Sequence, residues 1–440
     1  MKEQTVKRMD KITVIGAGLA GCEAAHTLSR LGFSVLLCEM KPVKFTPAQK
    51  SENFGELVCS NSLKASRLDS AAGLLKEEMR RLGSLTMEAA EKTAVAAGGA
   101  LAVDRELFSR YLTDAIKSDP NIEVATGEVE KLPESGITIV ATGPLTSDAL
   151  AKSLGKRFGG TLSFYDAVAP IVTADSLDWD KVFLGARYDR GDADYVNCPM
   201  NKEEYDAFYE ALVSAERAEL HSFDNADPKV YEGCMPVEIM AGRGHDTLRF
   251  GPLRPVGLSD PRTGHRPWAN VQLRRENAEG TMYNLVGFQT NLKFGEQKRV
   301  FSLIPGLDNA EFVRYGVMHR DTFMDSPRLL NANLSLKSEP RLFFAGQLTG
   351  VEGYTESAAS GILAGINAAR FAKGEAPLIL PKETMLGSLI AYITDETVAD
   401  FQPMGANMGV LPPLPKKIRN KEERYRALSD RAIVALEEIL

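Results

Sequence analysis

The stretch "KITVIGAGLAGCEAAHTLSRLGFSVLLCE" (residues 11–39) restricts the possible folds more than any other part of the chain. Lys11 to Ile15 is apolar enough for a buried strand. Gly16, Gly18 and Gly21 follow at G-x-G-x-x-G spacing, and Ala24, Ala25, Leu28 and Leu31 then recur at helical intervals until Gly32. "FSVLLCE" reads as a second buried strand ending on Glu39. Such a βαβ unit needs the first glycine for a tight turn, the second for close approach to a pyrophosphate and the third for helix–strand packing. The helix N-terminus then faces the phosphates, and Glu39 is placed to accept from ribose hydroxyls. Residues 16–21, that is Gly16, Ala17, Gly18, Leu19, Ala20 and Gly21, together with Glu39, are the expected dinucleotide contacts.

Two further strand-to-glycine turns indicate which dinucleotide is bound. "TIVATGP" (138–144) and "LFFAGQLTG" (342–350) are turns of the kind that flank FAD in two-dinucleotide-binding flavoproteins. They add Gly143, Gly346 and Gln347 to the expected cofactor contacts, with Tyr354 in the following loop as an aromatic that stacks on flavin or substrate or simply packs. No second G-x-G-x-x-G follows a strand, so a reduced nicotinamide nucleotide, NADH or NADPH, is expected to visit transiently as external reductant. Cys59 has no second cysteine five residues away, which argues against a pyridine nucleotide-disulfide reductase.

The expected fold class is α/β: a Rossmann-like FAD-binding domain with an inserted α+β domain. From about Ser163 the strand–helix alternation loosens, and a strong α/β pattern returns near Arg341. The FAD-binding domain is therefore expected to be discontinuous, over 1–162 and 306–440, around an insert at 163–305 that handles substrate. The second part carries a basic tail and a final helix. With 440 residues, 44% of them hydrophobic and 25% charged, the chain suits two or three domains. Its charged opening residues show neither a long apolar stretch nor a cleavage site. Its five cysteines (Cys22, Cys38, Cys59, Cys198 and Cys234) form no C-x-x-C, so no metal site, no membrane span and a reducing cytoplasm are expected.

The net charge of −7 argues against general coating of nucleic acid, but the charge is uneven. Between Ala241 and Arg275 stand seven arginines against two aspartates. Interleaved with Phe250 and Trp268, these residues suit phosphate contact plus stacking on an unpaired base, and a solvated charged face is the plainer alternative. Arg249, Arg254, Arg266, Arg274 and Arg275 are the expected RNA contacts there.

Taken together, "GAGLAGCEAA", "ELVCSNSLK", "AGGALAVDR", "IVATGPLTS", "EGCMPVE", "RYGVMHRDTF", "FFAGQLTGVEGYTESAASG" and "FQPMGANMG" resemble the family of folate- and FAD-dependent tRNA (uracil-5-)-methyltransferases along nearly the whole chain. One departure is Cys22, where a small residue such as serine is expected. The resemblance implies that 5,10-methylenetetrahydrofolate supplies a one-carbon unit to C5 of the T-loop uridine of tRNA, with reduced FAD as reductant. It also implies that the two catalytic cysteines of the family are Cys59 and Cys234, and that His319 stacks on the pterin. A thiolate adding at C6 of uracil makes C5 nucleophilic, and a second group must then remove the C5 proton. Cys234, in a constrained Gly–Cys–Met–Pro turn, is the favoured nucleophile and Cys59 the proton-transfer group; the sequence permits the opposite assignment. The same chemistry on ribosomal RNA, a wobble-uridine-modifying FAD protein and a small-molecule FAD oxidoreductase are the alternatives.

Overall fold

The computed structural model describes residues 11–440 except 47, 159–160, 168, 190–192, 219–234, 278, 317 and 399–400; for 161–167, 189 and 318–321 it describes the backbone only. Two hydrophobic cores organise the chain, each built on its own six-stranded sheet.

The first sheet has the strand order Ser335–Leu336, Glu339–Phe344, Thr138–Val140, Ile12–Ile15, Val35–Glu39 and Ile122–Thr126. All its pairings are parallel except the edge pair of Ser335–Leu336 with Glu339–Phe344. Val14, Ile15, Val35, Leu37, Ile139, Val140, Phe343 and Phe344 are buried, as a sheet covered on both faces requires. The expected Rossmann-like unit is present, and a strand from late in the chain completes its sheet. Helix Leu19–Arg30 and helix Tyr354–Lys373 lie directly on each other. The run of small residues in the later helix allows this approach: a Cβ on Gly361 would come within 2.2 Å of the carbonyl oxygen of Ala20.

The second sheet is antiparallel throughout, in the order Phe183–Leu184, Tyr195–Met200, Ala269–Arg275, Met282–Leu285, Ile171–Thr173 and Phe312–Arg314. Helices Lys202–Val213 and Phe294–Phe301 pack their buried faces onto its core through Tyr205, Phe208, Leu212, Val300 and Phe301. The sheet takes in Phe312–Arg314, beyond residue 305 where the sequence reading ended the insert. A two-stranded ribbon, Thr161–Ala167 against Met318–Met324, carries the chain out of the first body and back. No helix among the described residues is long and apolar enough to cross a membrane.

Candidate active site

A cavity of about 1000 Å³ opens at the carboxyl ends of the parallel strands. Its wall includes Gly16, Gly18, Leu19, Ala20, Glu39, Gly143, Gly346, Gln347 and Tyr354, so most of the expected cofactor contacts converge on one space. The three glycines of the first turn divide the work as the fingerprint requires. Gly16 has φ +97°, and a Cβ on it would stand 2.6 Å from the carbonyl oxygen of Ala141. A Cβ on Gly21 would overlap the carbonyl oxygen of Gly16 at 1.7 Å. On Gly18 it would meet nothing within 4 Å, so the side that a pyrophosphate would take is open.

The helix that begins at Leu19 has no acidic residue in its first turn, which leaves its positive end available to phosphate. Glu39 is buried and orders the turn from below: Oε2 accepts the amide N–H of Ala17 at 2.7 Å and Oε1 that of Lys41 at 3.0 Å. Ala17 therefore acts through its backbone. Gly346 donates its amide to Ser360 Oγ at 2.7 Å, and Gln347 turns its side-chain amide onto Glu352 at 3.0 Å. A glycine-lined groove, an open helix N-terminus and a carboxylate at the end of the second strand together fit a dinucleotide such as FAD.

Cys59 lies where this cavity meets the second sheet. Tyr354, at the start of the helix lying on the cofactor turn, extends its hydroxyl to within 2.9 Å of Cys59 Sγ. The same oxygen accepts the amide N–H groups of Cys59 at 2.7 Å and Ser60 at 3.3 Å. Burial, and then the neighbouring thiol, hold the tyrosine hydroxyl well above its ordinary range, so it stays protonated.

The residues after Cys59 are clamped from the other side. Arg274, in strand Ala269–Arg275, donates from Nε to Asn61 Oδ1 at 2.9 Å and from Nη2 to Ser60 Oγ at 2.7 Å. Asn61 in turn donates to the carbonyl oxygens of Val103 and Arg275. Nearby, Arg105 forms an ion pair with the buried Glu276 and donates to the carbonyl oxygen of Leu57 at 2.8 Å. Asp104 fixes Arg105 in place by capping its helix, accepting from the amides of Glu106 and Leu107. On the far side of the thiol, Lys64 pairs with Glu356 at 2.9 Å. Burial works against ionisation of Glu356, but Lys64 and the amide of Ala406 outweigh it and hold the carboxyl below its ordinary value.

Arg274 is therefore the expected RNA contact that the structure corrects: it is buried and its guanidinium holds the Cys59 loop. Arg275 sits at the end of the same strand, its Nε buried without a hydrogen-bond partner. Arg254 and Arg266 are exposed. Arg249 lies 3.7 Å above the Trp268 ring and donates to Asp246 and to the Trp268 carbonyl oxygen, so one face of that indole is already covered. Phe250 is left 83% exposed. Cys234 lies outside the described residues. His319 is placed by its backbone alone, opposite Asp166 in the ribbon between the two bodies.

Sequence reasoning missed Arg105, Arg274 as a clamp, Glu276, Lys64 and Glu356. The polar cluster around Cys59 signalled that the thiol has partners, but apart from Lys64 the partners come from other segments, and Arg274, Glu276 and Glu356 lie more than two hundred residues away. Among the described residues no group of three or more His, Cys, Asp or Glu side chains is positioned to hold a metal ion.

Comparison with known proteins agrees with this geometry. A family model described as glucose inhibited division protein A matches residues 11–376. A protein of Lactiplantibacillus plantarum named methylenetetrahydrofolate–tRNA-(uracil-5-)-methyltransferase TrmFO is 58% identical over 427 residues, 97% of this chain and 96% of that one. A protein of the same name from Acetivibrio thermocellus is 59% identical over 431 residues, 98% of each. Among solved structures, GidA from Aquifex aeolicus superposes with a TM-score of 0.71 at 17% identity, covering 99% of this chain and 74% of that one, and so shares the fold.

Proposed function

Since the chain belongs to the family of methylenetetrahydrofolate–tRNA-(uracil-5-)-methyltransferases and is an enzyme of that kind, we propose that it methylates C5 of the T-loop uridine of tRNA, with a reduced nicotinamide nucleotide as the ultimate electron source. The observation that carries this reading is the meeting of the dinucleotide cavity with Cys59 at Tyr354. A redox cofactor and a thiol at one point are what a reductive methylation of uracil needs.

Gly16, Gly18, Gly143, Glu39 and the helix at Leu19 would hold FAD, and Tyr354 would lie at its reactive end. When bound, FAD supplies the electrons that turn a methylene unit into a methyl group. The protein's own groups handle the base and its protons. A cysteine thiolate adds at C6 of uracil, raising electron density at C5, and a second group takes the C5 proton. Cys59 suits the proton-transfer part, because its sulfur already shares a short contact with a protonated hydroxyl. Cys234 takes the nucleophile's part. Tyr354 holds the Cys59 amide and Arg274 the side chains of Ser60 and Asn61 that follow it, so that the thiol is positioned before substrate arrives. The target base must leave the loop stack to reach this corner.

The experiment is a carbon-transfer assay on an unmodified tRNA transcript, with methylenetetrahydrofolate labelled in its one-carbon unit, NADH or NADPH, and S-adenosylmethionine in a parallel reaction. Label at C5 of the T-loop uridine supports the reading. Methylation that needs S-adenosylmethionine and proceeds without folate defeats it.

A further inference from the structure

A second cleft lies between the two bodies next to the cofactor cavity; Glu56 lines both. This cleft is open to solvent along its length. Three aromatic rings stack in a column, of which Tyr315 and Phe294 line the cleft. Phe312 stacks on Tyr315 with centroids 5.1 Å apart and planes at 11°, and Tyr315 stacks on Phe294 at 4.9 Å and 20°. Phe294 ends the column and is 55% exposed. Leu107 from the first body and Val313 from the second are exposed apolar side chains lining the same cleft.

The charges in the cleft are unevenly satisfied. Glu106 pairs with Arg110, Glu276 with Arg105, and Glu56 with Lys41, while Asp104 caps its helix. Strand Phe312–Arg314 pairs the backbone of Arg314 with Ile171, while its side chain, close enough to Glu276 to feel that carboxylate, makes no hydrogen bond or ion pair among the described residues. Burial pushes its guanidinium down, and Arg105 pushes it further. Arg105 Nη2 is buried without a hydrogen-bond partner. Glu276 answers Arg105 with an ion pair and leaves Arg314 without one, so the two guanidiniums retain bonding capacity for a further anion, and a ring column with an exposed end calls for a flat partner.

We propose that this cleft is a subsite for an unpaired nucleotide of the RNA adjacent to the target uridine, its base stacked on Phe294 and its phosphate held by Arg314 and Arg105. The inference rests on the RNA-methylating function above. The cleft's position fits it: a nucleotide here sits beside Glu56 and Leu57, in the segment that leads to Cys59, as a neighbour of a base delivered to that thiol must. A stacked ring and a guanidinium recognise RNA without reading sequence, so the subsite contributes affinity and register.

The test compares the full-length flavoprotein with Phe294→Ala, Phe294→Trp and Arg314→Gln, using filter binding of an unmodified tRNA transcript across a salt series and steady-state methylation. Phe294→Ala should weaken tRNA binding roughly five- to a hundredfold, the range given by loss of one base–aromatic stack. Phe294→Trp should retain wild-type affinity. Arg314→Gln should lower the slope of log K against log salt by about one. Flavin content per chain reports folding, and the Phe294 pair carries the test should Arg314→Gln lose its flavin. Unchanged tRNA affinity in Phe294→Ala overturns the proposal, as does a raised KM for folate with tRNA binding intact, which would assign the cleft to the folate tail. A wild-type protein that methylates no RNA would instead sink the underlying function.

Discussion

The hydroxyl of Tyr354 stands 2.9 Å from the sulfur of Cys59 and accepts the amide N–H of the same residue at 2.7 Å. The wall of the dinucleotide cavity and the Cys59 thiol are therefore one unit. Tyr354→Phe keeps the ring and removes the shared acceptor, leaving two amides without it at a cost of about 1–3 kcal/mol. Flavin absorbance per chain should be retained while turnover falls at least tenfold and the melting temperature drops. Wild-type turnover in this variant would remove Tyr354 from the thiol's environment.

Gly18 and Gly21 should fail in different ways. Gly18→Ala places its methyl in the open cavity, so the protein should fold with a near-wild-type circular dichroism spectrum yet purify without yellow colour. Gly21→Ala sets a methyl 1.7 Å from a backbone oxygen and should lower the yield of folded protein itself. Equal flavin retention in Gly18→Ala and wild type would show that the groove is not the pyrophosphate site.

The arginines of the basic stretch should separate by kinetics. Arg274→Lys disturbs the clamp on Ser60 and Asn61, and the expected result is a kcat reduced tenfold or more with little change in KM for tRNA. Arg254→Ala and Arg266→Ala remove exposed charges. Those two variants should raise KM for tRNA several-fold and shallow its salt dependence, with kcat preserved.

How far the sequence exposes this architecture depends on the range of the forces involved. The Rossmann turn is legible because its glycines answer to sterics within one loop, and Glu39 because it ends the next strand. The clamp on Cys59 is not legible: Tyr354, Arg274 and Arg105 reach it from three distant segments, and nothing local marks Arg274 as a clamp rather than a surface charge. Its alternation with aromatics suggested RNA contact, whereas strand pairing turns it inward. The limit of the inserted sheet was obscured for a related reason. Phe312–Arg314 is a three-residue strand, too short for a period-two pattern, and it is defined by its pairing with Ile171 and Val172.

Glu78 gives the fold a pH dependence. It is buried, and its carboxylate accepts the amides of Met385 at 2.6 Å and Leu386 at 2.9 Å, at the start of helix Met385–Ile393. Burial raises its pKa to about 7 from an ordinary 4.5, against the opposing pull of those amides. The folded state thus binds the proton more tightly than the unfolded chain. The stabilisation is full below about pH 4.5 and is lost as pH rises through about 7. Urea unfolding at pH 5 and pH 7.5 should show a smaller stability loss over that interval in Glu78→Gln than in wild type. An identical loss in both would assign the pH dependence to other groups.

Covalent capture of tRNA carrying 5-fluorouridine at the target position reads out whether a thiol pair works beside the flavin. Fluorine cannot leave C5 as a proton does, so the adduct at C6 accumulates. Wild-type protein should form a denaturation-resistant complex with this RNA, Cys234→Ala should form none, and Cys59→Ala should form it while failing to methylate ordinary tRNA, all three retaining FAD. Adduct lost in Cys59→Ala and kept in Cys234→Ala would exchange the two roles, and full methylation by both variants would contradict the thiol mechanism.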